Sequence, residues 1–214
     1  YKRQGVWKFI YAPTIAASIK DFYRIDLPDS NWDTITVPSN WEIQGFGEPI
    51  IRNIQYVFSS NPPYIDVDNP VGTYRRTFTV PRNWQEREVF LHFGSISGYA
   101  RIYVNGQQVG MTKASKTPAE FNVTNYLKEG ENLLAVQIYR WHDGSYMEDQ
   151  DFWRLTGIER DVFLQAYPKL TIWDFFLKSS LDSTYKNGIF NATVDLREFT
   201  GNNCLLYTSD AADE

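Results

Sequence analysis

The distribution of apolar and polar residues indicates β-structure along most of the chain. GTYRRTFTV (72–80) places Tyr74, Arg76 and Phe78 in alternation with Arg75 and Thr77. A period of two puts alternate side chains on opposite faces of a strand, so we predict a half-buried strand here. EVFLHFG (88–94), YARIYVNGQQVG (99–110), NLLAVQIYRW (132–141) and DVFLQAY (161–167) predict further strands.

Turn residues divide these strands. Asn105-Gly106 between two apolar runs is a strong signal for a tight β-hairpin. Thr124 as an N-cap and Gly130 as a stop predict one helical turn between them. Many short strands with no long segment of period 3.6 predict an all-β, antiparallel sandwich of the jelly-roll kind.

Two segments interrupt the alternation. Residues 36–73 carry five prolines and many aromatic residues, which predicts a long, ordered loop. Residues 140–154, RWHDGSYMEDQDFWR, combine acidic and aromatic side chains in a short turn-forming stretch. Because ordered loops often carry function, a site could be built between the two segments.

The domain organisation is predicted as one full domain and part of a second. The jelly roll takes residues 1–167, and two strands at 170–182 and 188–199 begin a second β-domain, cut short, at 168–203. CLLYTSDAADE (204–214) reads as the translation of a transposon-derived sequencing adapter, and we expect it to be non-native. The first residues lack Met and a signal peptide, so we expect a missing N-terminus and assign no location.

Composition excludes several classes of function. The net charge is −5 with no Lys/Arg cluster, which argues against nucleic acid and anionic membranes as partners. No apolar run is long enough to span a membrane. One cysteine, Cys204, rules out an internal disulfide, and two histidines are too few for a typical zinc site. Any metal would be held by oxygen.

The acidic cluster has three interpretations. Glycosidases use two carboxylates that flank the scissile bond, but Asp149 and Asp151, roughly 6.6 Å apart on one strand face, could not readily flank a sugar. A carboxylate here could accept hydrogen bonds from sugar hydroxyls or ligate a hard cation beside a tryptophan. Alternatively, Asp149 or Asp151 pairs with Arg154 or Arg160 to hold the loop, which composition alone favours.

Six segments in order resemble the family 2 glycoside hydrolases, and among them the large β-galactosidases. The segments are WKF (7–9), VPSNWEIQGFGEPIIRNIQYVF (37–58), NPPYIDVDNPVGTYRRTF (61–78), VNGQQVG (104–110), PAEFNVTNYLKEGENLLAV (118–136) and RWHDGSYMEDQDFWRLTGIERDVFL (140–164). The resemblance covers nearly all of residues 5–203.

The resemblance implies a galactose-binding-like jelly roll that assists sugar binding, followed by an immunoglobulin-like sandwich and a barrel with both catalytic glutamates. The chain would then be the non-catalytic, N-terminal part of a retaining β-galactosidase, which hydrolyses terminal β-D-galactosides in carbohydrate metabolism. Alone it would be inactive. The alternatives are a stand-alone carbohydrate-binding module, or a domain of a β-glucuronidase or β-mannosidase.

The resemblance also implies roles for two residues. Asp151, at the end of EDQD, would contact galactose hydroxyls and ligate a sodium ion shared with the barrel. Asn53 would hydrogen-bond the sugar, although Ile51 and Arg52 depart from the family pattern. Magnesium in the full enzyme and a homo-oligomer are further expectations.

Other residues of these motifs are predicted to be structural. We expect His142 to face solvent. We expect packing in the core or against another domain, rather than stacking on a sugar, for Trp41, Trp141, Trp153 and Tyr146.

Overall fold

Antiparallel strands make up almost all of the regular structure in a computed structural model, which describes residues 4–52, 56–148 and 151–201. The all-β prediction is confirmed. The strands are β1 (Gly5–Ala12), β2 (Asp33–Val37), β3 (Ser39–Asn40), β4 (Ile50–Arg52), β5 (Val71–Thr79), β6 (Glu88–Phe93), β7 (Ile96–Ser97), β8 (Tyr99–Val104), β9 (Gln107–Thr112), β10 (Ala119–Asn122), β11 (Glu131–Tyr139), β12 (Phe152–Arg154), β13 (Gly157–Ile158), β14 (Val162–Tyr167), β15 (Leu170–Leu181) and β16 (Gly188–Glu198). Short 3-10 helices span Arg82–Trp84, Thr124–Tyr126 and Asp143–Met147.

Two sheets enclose the core. The larger has the strand order β2-β1-β5-β11-β8-β9, and the smaller has the order β10-β6-β14. One hydrophobic cluster takes side chains from both sheets, including Phe9 and Ile138 of the larger and Leu91 and Leu164 of the smaller. Two further small sheets have the orders β3-β13-β7 and β12-β4. This is a β-sandwich, as the alternation predicted.

Strand β5 differs from the half-buried strand that its alternation predicted. Its first five residues, Val71–Arg75, are all buried, including the charged Arg75. The guanidinium of Arg75 donates to the carbonyl oxygens of Phe22 and Arg24 and pairs with Asp29 at 2.9 Å. The segment between β1 and β2 therefore covers the outer face of the sheet at this strand.

The predicted hairpin is confirmed. Asn105 and Gly106 connect β8 and β9 with φ values of 50° and 84°, which the type I′ turn requires at both positions. The predicted N-cap at Thr124 is wrong. Val123 occupies that position, and the Thr124 hydroxyl instead accepts a hydrogen bond from the Val89 amide at 2.9 Å.

The 36–73 segment is largely irregular and contains the short strands β3 and β4. Strand β3 pairs with β13, and β4 pairs with β12. Both partners lie more than 100 residues farther along the chain. The long loop is thus fastened to the residues around 152–158.

Strands β15 and β16 form a separate two-stranded ribbon after the sandwich. The two predicted strands are confirmed, while the domain boundary stays a prediction. A register shift between Ile172 and Asp174 keeps apolar residues on one face. That face carries large side chains at 40% to 66% exposure, namely Ile172, Phe175, Leu177, Phe190, Val194 and Leu196. Over the residues that the structure describes, no helix is long and apolar enough to cross a membrane.

Candidate functional site

A buried ion pair joins the two irregular segments. The Glu42 and Arg140 side chains are 0% and 5% exposed, and Arg140 Nη2 lies 3.7 Å from Glu42 Oε1. Arg140 also donates to the carbonyl oxygens of Glu48 at 3.1 Å and Arg154 at 2.8 Å. Glu42 Oε2 accepts from the Thr156 amide at 2.9 Å. The pair therefore fixes the backbone on both sides of the site.

Burial governs the ionisation of this pair. Desolvation raises the pKa of the Glu42 carboxyl, while the Thr156 amide and the charge of Arg140 oppose the rise. Desolvation also lowers the pKa of Arg140, and the charge of Glu42 opposes that change. The charge of each group thus partly offsets the effect of burial on the pKa of the other.

Asn69 forms a second connection between the segments. Its side-chain amide donates to the carbonyl oxygen of Trp141 at 2.7 Å and accepts from the Trp141 amide at 2.9 Å. The hydroxyl of Tyr146 lies within hydrogen-bonding distance of the carbonyl oxygens of Ser59 and Tyr64, at 2.8 Å and 2.5 Å, and can donate its proton to either. Phe58 packs edge-on against Trp141 and Tyr146, with ring centroids 5.6 Å and 4.9 Å away. Polar and aromatic contacts together order the 56–70 loop.

The prediction that His142 faces solvent is wrong. His142 is 6% exposed and caps the 3-10 helix at Asp143–Met147. Its Nδ1 accepts from the Gly144 amide at 3.1 Å, and its own amide donates to the Ser145 hydroxyl at 3.1 Å. Burial lowers the pKa of the imidazole, and the nearby carboxylates of Glu148 and Asp143 act in the opposite direction. The His142 side chain therefore serves as the N-cap of this 3-10 helix and does not face solvent.

The aromatic residues have different environments. Trp41 is fully buried against Phe9 and Tyr11, which confirms its place in the core. Trp141 and Tyr146 pack within the loop cluster described above. Trp153 is 49% exposed and is therefore not a core residue, so a contact with another domain stays a prediction for it.

A pocket of about 350 Å³ opens between the two segments. The Arg154 guanidinium lies over the ring of Phe152 at 5.6 Å, and Lys116 lies 5.1 Å from the same ring. Arg154 also donates to the carbonyl oxygen of Glu148. The walls combine aromatic rings with polar groups and include Tyr56, Phe58, Ser97, Ser115, Lys116, Arg140, Trp141, Ser145, Glu148, Phe152, Trp153, Arg154 and Thr156.

Asp151, one of the two predicted binding residues, lies next to the pairing of β4 with β12. Phe152 is opposite Arg52, and Trp153 is opposite Ile51. Asp151 directly precedes Phe152 and is exposed. Asn53 directly follows Arg52 in the sequence, but it lies outside the described residues. So does Asp149, on which one of the predicted ion pairs depended. Among ion pairs between described residues, none involves Asp151.

The chemistry available at Asp151 is that of one exposed carboxylate. It offers acceptor sites to hydroxyl groups and one oxygen ligand to a hard cation. Within the described part of the chain, no group of three or more His, Cys, Asp or Glu is arranged to hold a metal ion.

Comparison with known proteins identifies the family. Residues 1–168 match the family model described as "Glycosyl hydrolases family 2, sugar binding domain". The chain belongs to this family. The resemblance found in the sequence motifs is thereby confirmed.

Curated relatives of this family 2 domain include two bacterial β-galactosidases. The protein of Priestia megaterium (strain DSM 319 / IMG 1521) is 40% identical over 200 residues, which cover 91% of this chain and 19% of that protein. The protein of Vibrio cholerae serotype O1 (strain ATCC 39541 / Classical Ogawa 395 / O395) is 42% identical over 196 residues, which cover 92% and 19%. The chain thus spans about a fifth of the length of these relatives.

Solved structures share the fold of the family 2 domain. A β-glucuronidase from an uncultured Clostridium sp. superposes with a TM-score of 0.69 at 26% identity, covering 92% of this chain and 33% of that one. A β-glucuronidase from Ruminococcus gnavus has a TM-score of 0.69 at 19% identity, covering 94% and 34%. The second likeness concerns the fold alone.

Sequence reasoning missed the polar groups that hold this family 2 site together. Glu42 and Arg140 lie in segments recognised as unusual, yet they are 98 positions apart in the chain. The available signal was a charged residue beside a tryptophan in each segment, WE at 41–42 and RW at 140–141. That signal marks a candidate for burial but does not identify its partner.

Proposed function

We propose that this chain is the sugar-binding part of a retaining β-galactosidase, and that it contributes sugar contacts to an active site completed by a catalytic domain elsewhere in the full-length protein. Asp151 accepts hydrogen bonds from galactose hydroxyls and ligates sodium, and Asn53 hydrogen-bonds the same sugar. The catalytic glutamates lie outside this chain, so the chain alone does not hydrolyse galactosides.

The observation that carries the proposal is the similarity to proteins named β-galactosidase. These relatives are 40% to 43% identical over 86% to 92% of the chain.

The position of Asp151 supports its role. Asp151 is exposed and directly precedes Phe152, which pairs with Arg52 in the β4–β12 ladder. Its carboxylate can accept hydrogen bonds from sugar hydroxyls. The amide of Asn53, which follows Arg52 in the sequence, can both donate and accept hydrogen bonds.

Sodium fits the exposed Asp151 as an oxygen-preferring cation, with the remaining ligands supplied by the catalytic domain. The proposal assigns none of the described residues to magnesium. A homo-oligomer of the full-length protein also remains part of the proposal, without an assigned surface on this chain.

A β-glucuronidase is the second candidate, because the solved structures with this fold carry that name. Their identity of 26% or less makes this the weaker candidate. A stand-alone binding module is the third, and the length of the curated relatives argues against it.

Hydrolysis by the full-length protein tests the proposal. Nitrophenyl β-galactoside, β-glucuronide and β-mannoside should be compared at equal concentration, with this chain alone as a parallel sample. We expect the galactoside to be hydrolysed fastest by the full-length protein and no turnover by the chain. Preference for the glucuronide, or turnover by the chain, would refute the corresponding part of the proposal.

A further inference from the structure

We propose that the buried Glu42–Arg140 pair is a positioning device for Asp151. The inference rests on the proposed function and adds two positioning residues to it. Arg140 and Glu42 hold one end of the β4–β12 ladder, and Asp151 precedes the first residue of β12 at the other end.

The ladder is too short to maintain its own position. It consists of three residue pairs, Phe152 with Arg52, Trp153 with Ile51 and Arg154 with Ile50. Isolated two-stranded pairings are marginal in water even when they are longer. The orientation of β12, and hence of Asp151, therefore depends on contacts outside the ladder.

Arg140 contacts β12 and the residues that lead into β4. One Nη atom donates to the carbonyl oxygen of Glu48, two residues before β4, and the other donates to that of Arg154, the last residue of β12. Glu42 continues the attachment by accepting from the amide of Thr156, two residues after β12. All three contacts lie at the end of the ladder that is remote from Asp151.

The guanidinium group suits this role better than other cations. Its planar fork reaches two carbonyl oxygens in different directions, whereas a lysine ammonium is a single point charge. The Arg140 side chain is 5% exposed, and both of its Nη atoms donate to backbone carbonyl oxygens. These contacts give Arg140 a role that acts through β12.

The pair is poorly explained by stability alone. Buried ion pairs often contribute no more than apolar residues of the same size, because desolvation offsets their attraction. Among the described residues, Arg140 Nε and Glu42 Oε1 have no hydrogen-bond partner, so the pair is incompletely satisfied. The contacts of the pair with Arg154 and Thr156 instead fix the position of the backbone at the end of β12.

Kinetics of the full-length protein test this inference. Arg140→Lys, Glu42→Ala and Glu42→Gln should be compared with wild type for kcat, KM for nitrophenyl β-galactoside, and the sodium concentration for half-maximal activity. We expect Arg140→Lys and Glu42→Ala to lower kcat/KM by about 10- to 100-fold, the loss typical of a misplaced site, and to raise the sodium requirement. Glu42→Gln keeps the acceptor for Thr156 and should be affected less.

Arg75→Lys is the matched control. Arg75 is also buried, pairs with Asp29 and donates to three carbonyl oxygens, but its contacts are with the segment between β1 and β2. We expect Arg75→Lys and Arg140→Lys to lower the melting temperature by similar amounts. In Arg75→Lys, however, kcat/KM and the sodium requirement should stay within twofold of wild type. Glu42→Ala provides the same comparison where Arg140→Lys fails to fold.

Asp151→Asn separates the two possible failures. If Asp151→Asn lowers kcat/KM and weakens the sodium response but the Arg140 and Glu42 variants match Arg75→Lys, the positioning role is refuted and the proposed function stands. If Asp151→Asn changes neither quantity, the proposed role of Asp151 is refuted, and the positioning role with it.

Discussion

His142 shows how burial sets the chemistry of a single residue in the acidic loop. Its ring accepts a hydrogen bond from the Gly144 amide, which requires an unprotonated Nδ1. Burial lowers the pKa of the ring below its ordinary value of 6.5. The neutral ring therefore stabilises the 3-10 helix at Asp143–Met147 at neutral pH.

The lowered pKa gives the folded chain a specific pH dependence. The unfolded chain binds a proton at His142 at a higher pH than the folded chain does, so this contribution is complete above about pH 6.5 and declines as the pH falls toward the folded-state value. We expect the free energy of unfolding, measured in urea at pH 7.5 and pH 5.5, to fall less in His142→Asn than in wild type. An equal fall in both would contradict the buried, neutral ring.

At the scale of elements, the β8–β9 hairpin is held by side chains as well as by its turn. The Asn105 amide donates to the carbonyl oxygen of Tyr126 at 2.8 Å and to the side chain of Asn132 at 2.7 Å, and its oxygen accepts from the Leu133 amide at 2.9 Å. The turn thus connects β8 to the start of β11 and to the 3-10 helix at Thr124–Tyr126.

Two substitutions separate backbone strain from lost hydrogen bonds in this turn. Gly106→Ala places a side chain at a φ of 84° without a close contact, so we expect a cost of about 1–2 kcal/mol from strain alone. Asn105→Gly keeps the backbone conformation but removes the acceptor of the Leu133 amide. We expect this loss to lower the free energy of unfolding by about 1–3 kcal/mol. Chemical denaturation, with the exposed Gln107→Ala as a near-neutral control, measures both. A neutral Asn105→Gly would contradict the bridging role.

Local patterns were sufficient for the long strands and the tight turn. Alternation located β6, β8, β11 and β14, and Asn105-Gly106 located the hairpin, because both signals act over a few neighbouring residues. Strands β3 and β4 were missed, since two or three residues carry no measurable period and their partners lie more than 100 residues away. The burial of Arg75 was missed because a distant segment covers it.

The candidate site was predictable only in part, for the same reason. The motif singled out Asp151 as a candidate, and the structure places Asp151, exposed, directly before β12. The Glu42–Arg140 attachment and the capping role of His142 arise from tertiary packing. A sequence pattern gives the polarity of such residues but not which atoms they meet.

At the scale of the molecule, the sandwich forms the main hydrophobic core, and the β15–β16 ribbon lies outside it. The main hydrophobic cluster of described residues ends at Ala166. The ribbon contacts the sandwich through Trp173, which packs on Phe90 and Tyr167, and through the Lys169–Glu88 ion pair. The sandwich should therefore fold without the ribbon.

Truncation tests this independence. A chain that ends at Pro168 should unfold in one cooperative transition, with a melting temperature within about 5 °C of that of residues 1–203, because few buried contacts are removed. Circular dichroism and calorimetry measure the transition. A broad, non-cooperative transition in the shorter chain would show that the ribbon is part of the same folding unit.

We propose that Asp151 of this domain forms part of the active site of a full-length β-galactosidase. Sodium titration of galactoside hydrolysis, in the full-length protein and its Asp151→Asn variant, tests it most directly. We predict that the variant loses its response to sodium and that its transition-state binding weakens by about 2–4 kcal/mol, the usual cost of removing one stabilising polar group. Unchanged kinetics and an unchanged sodium response would contradict the claim.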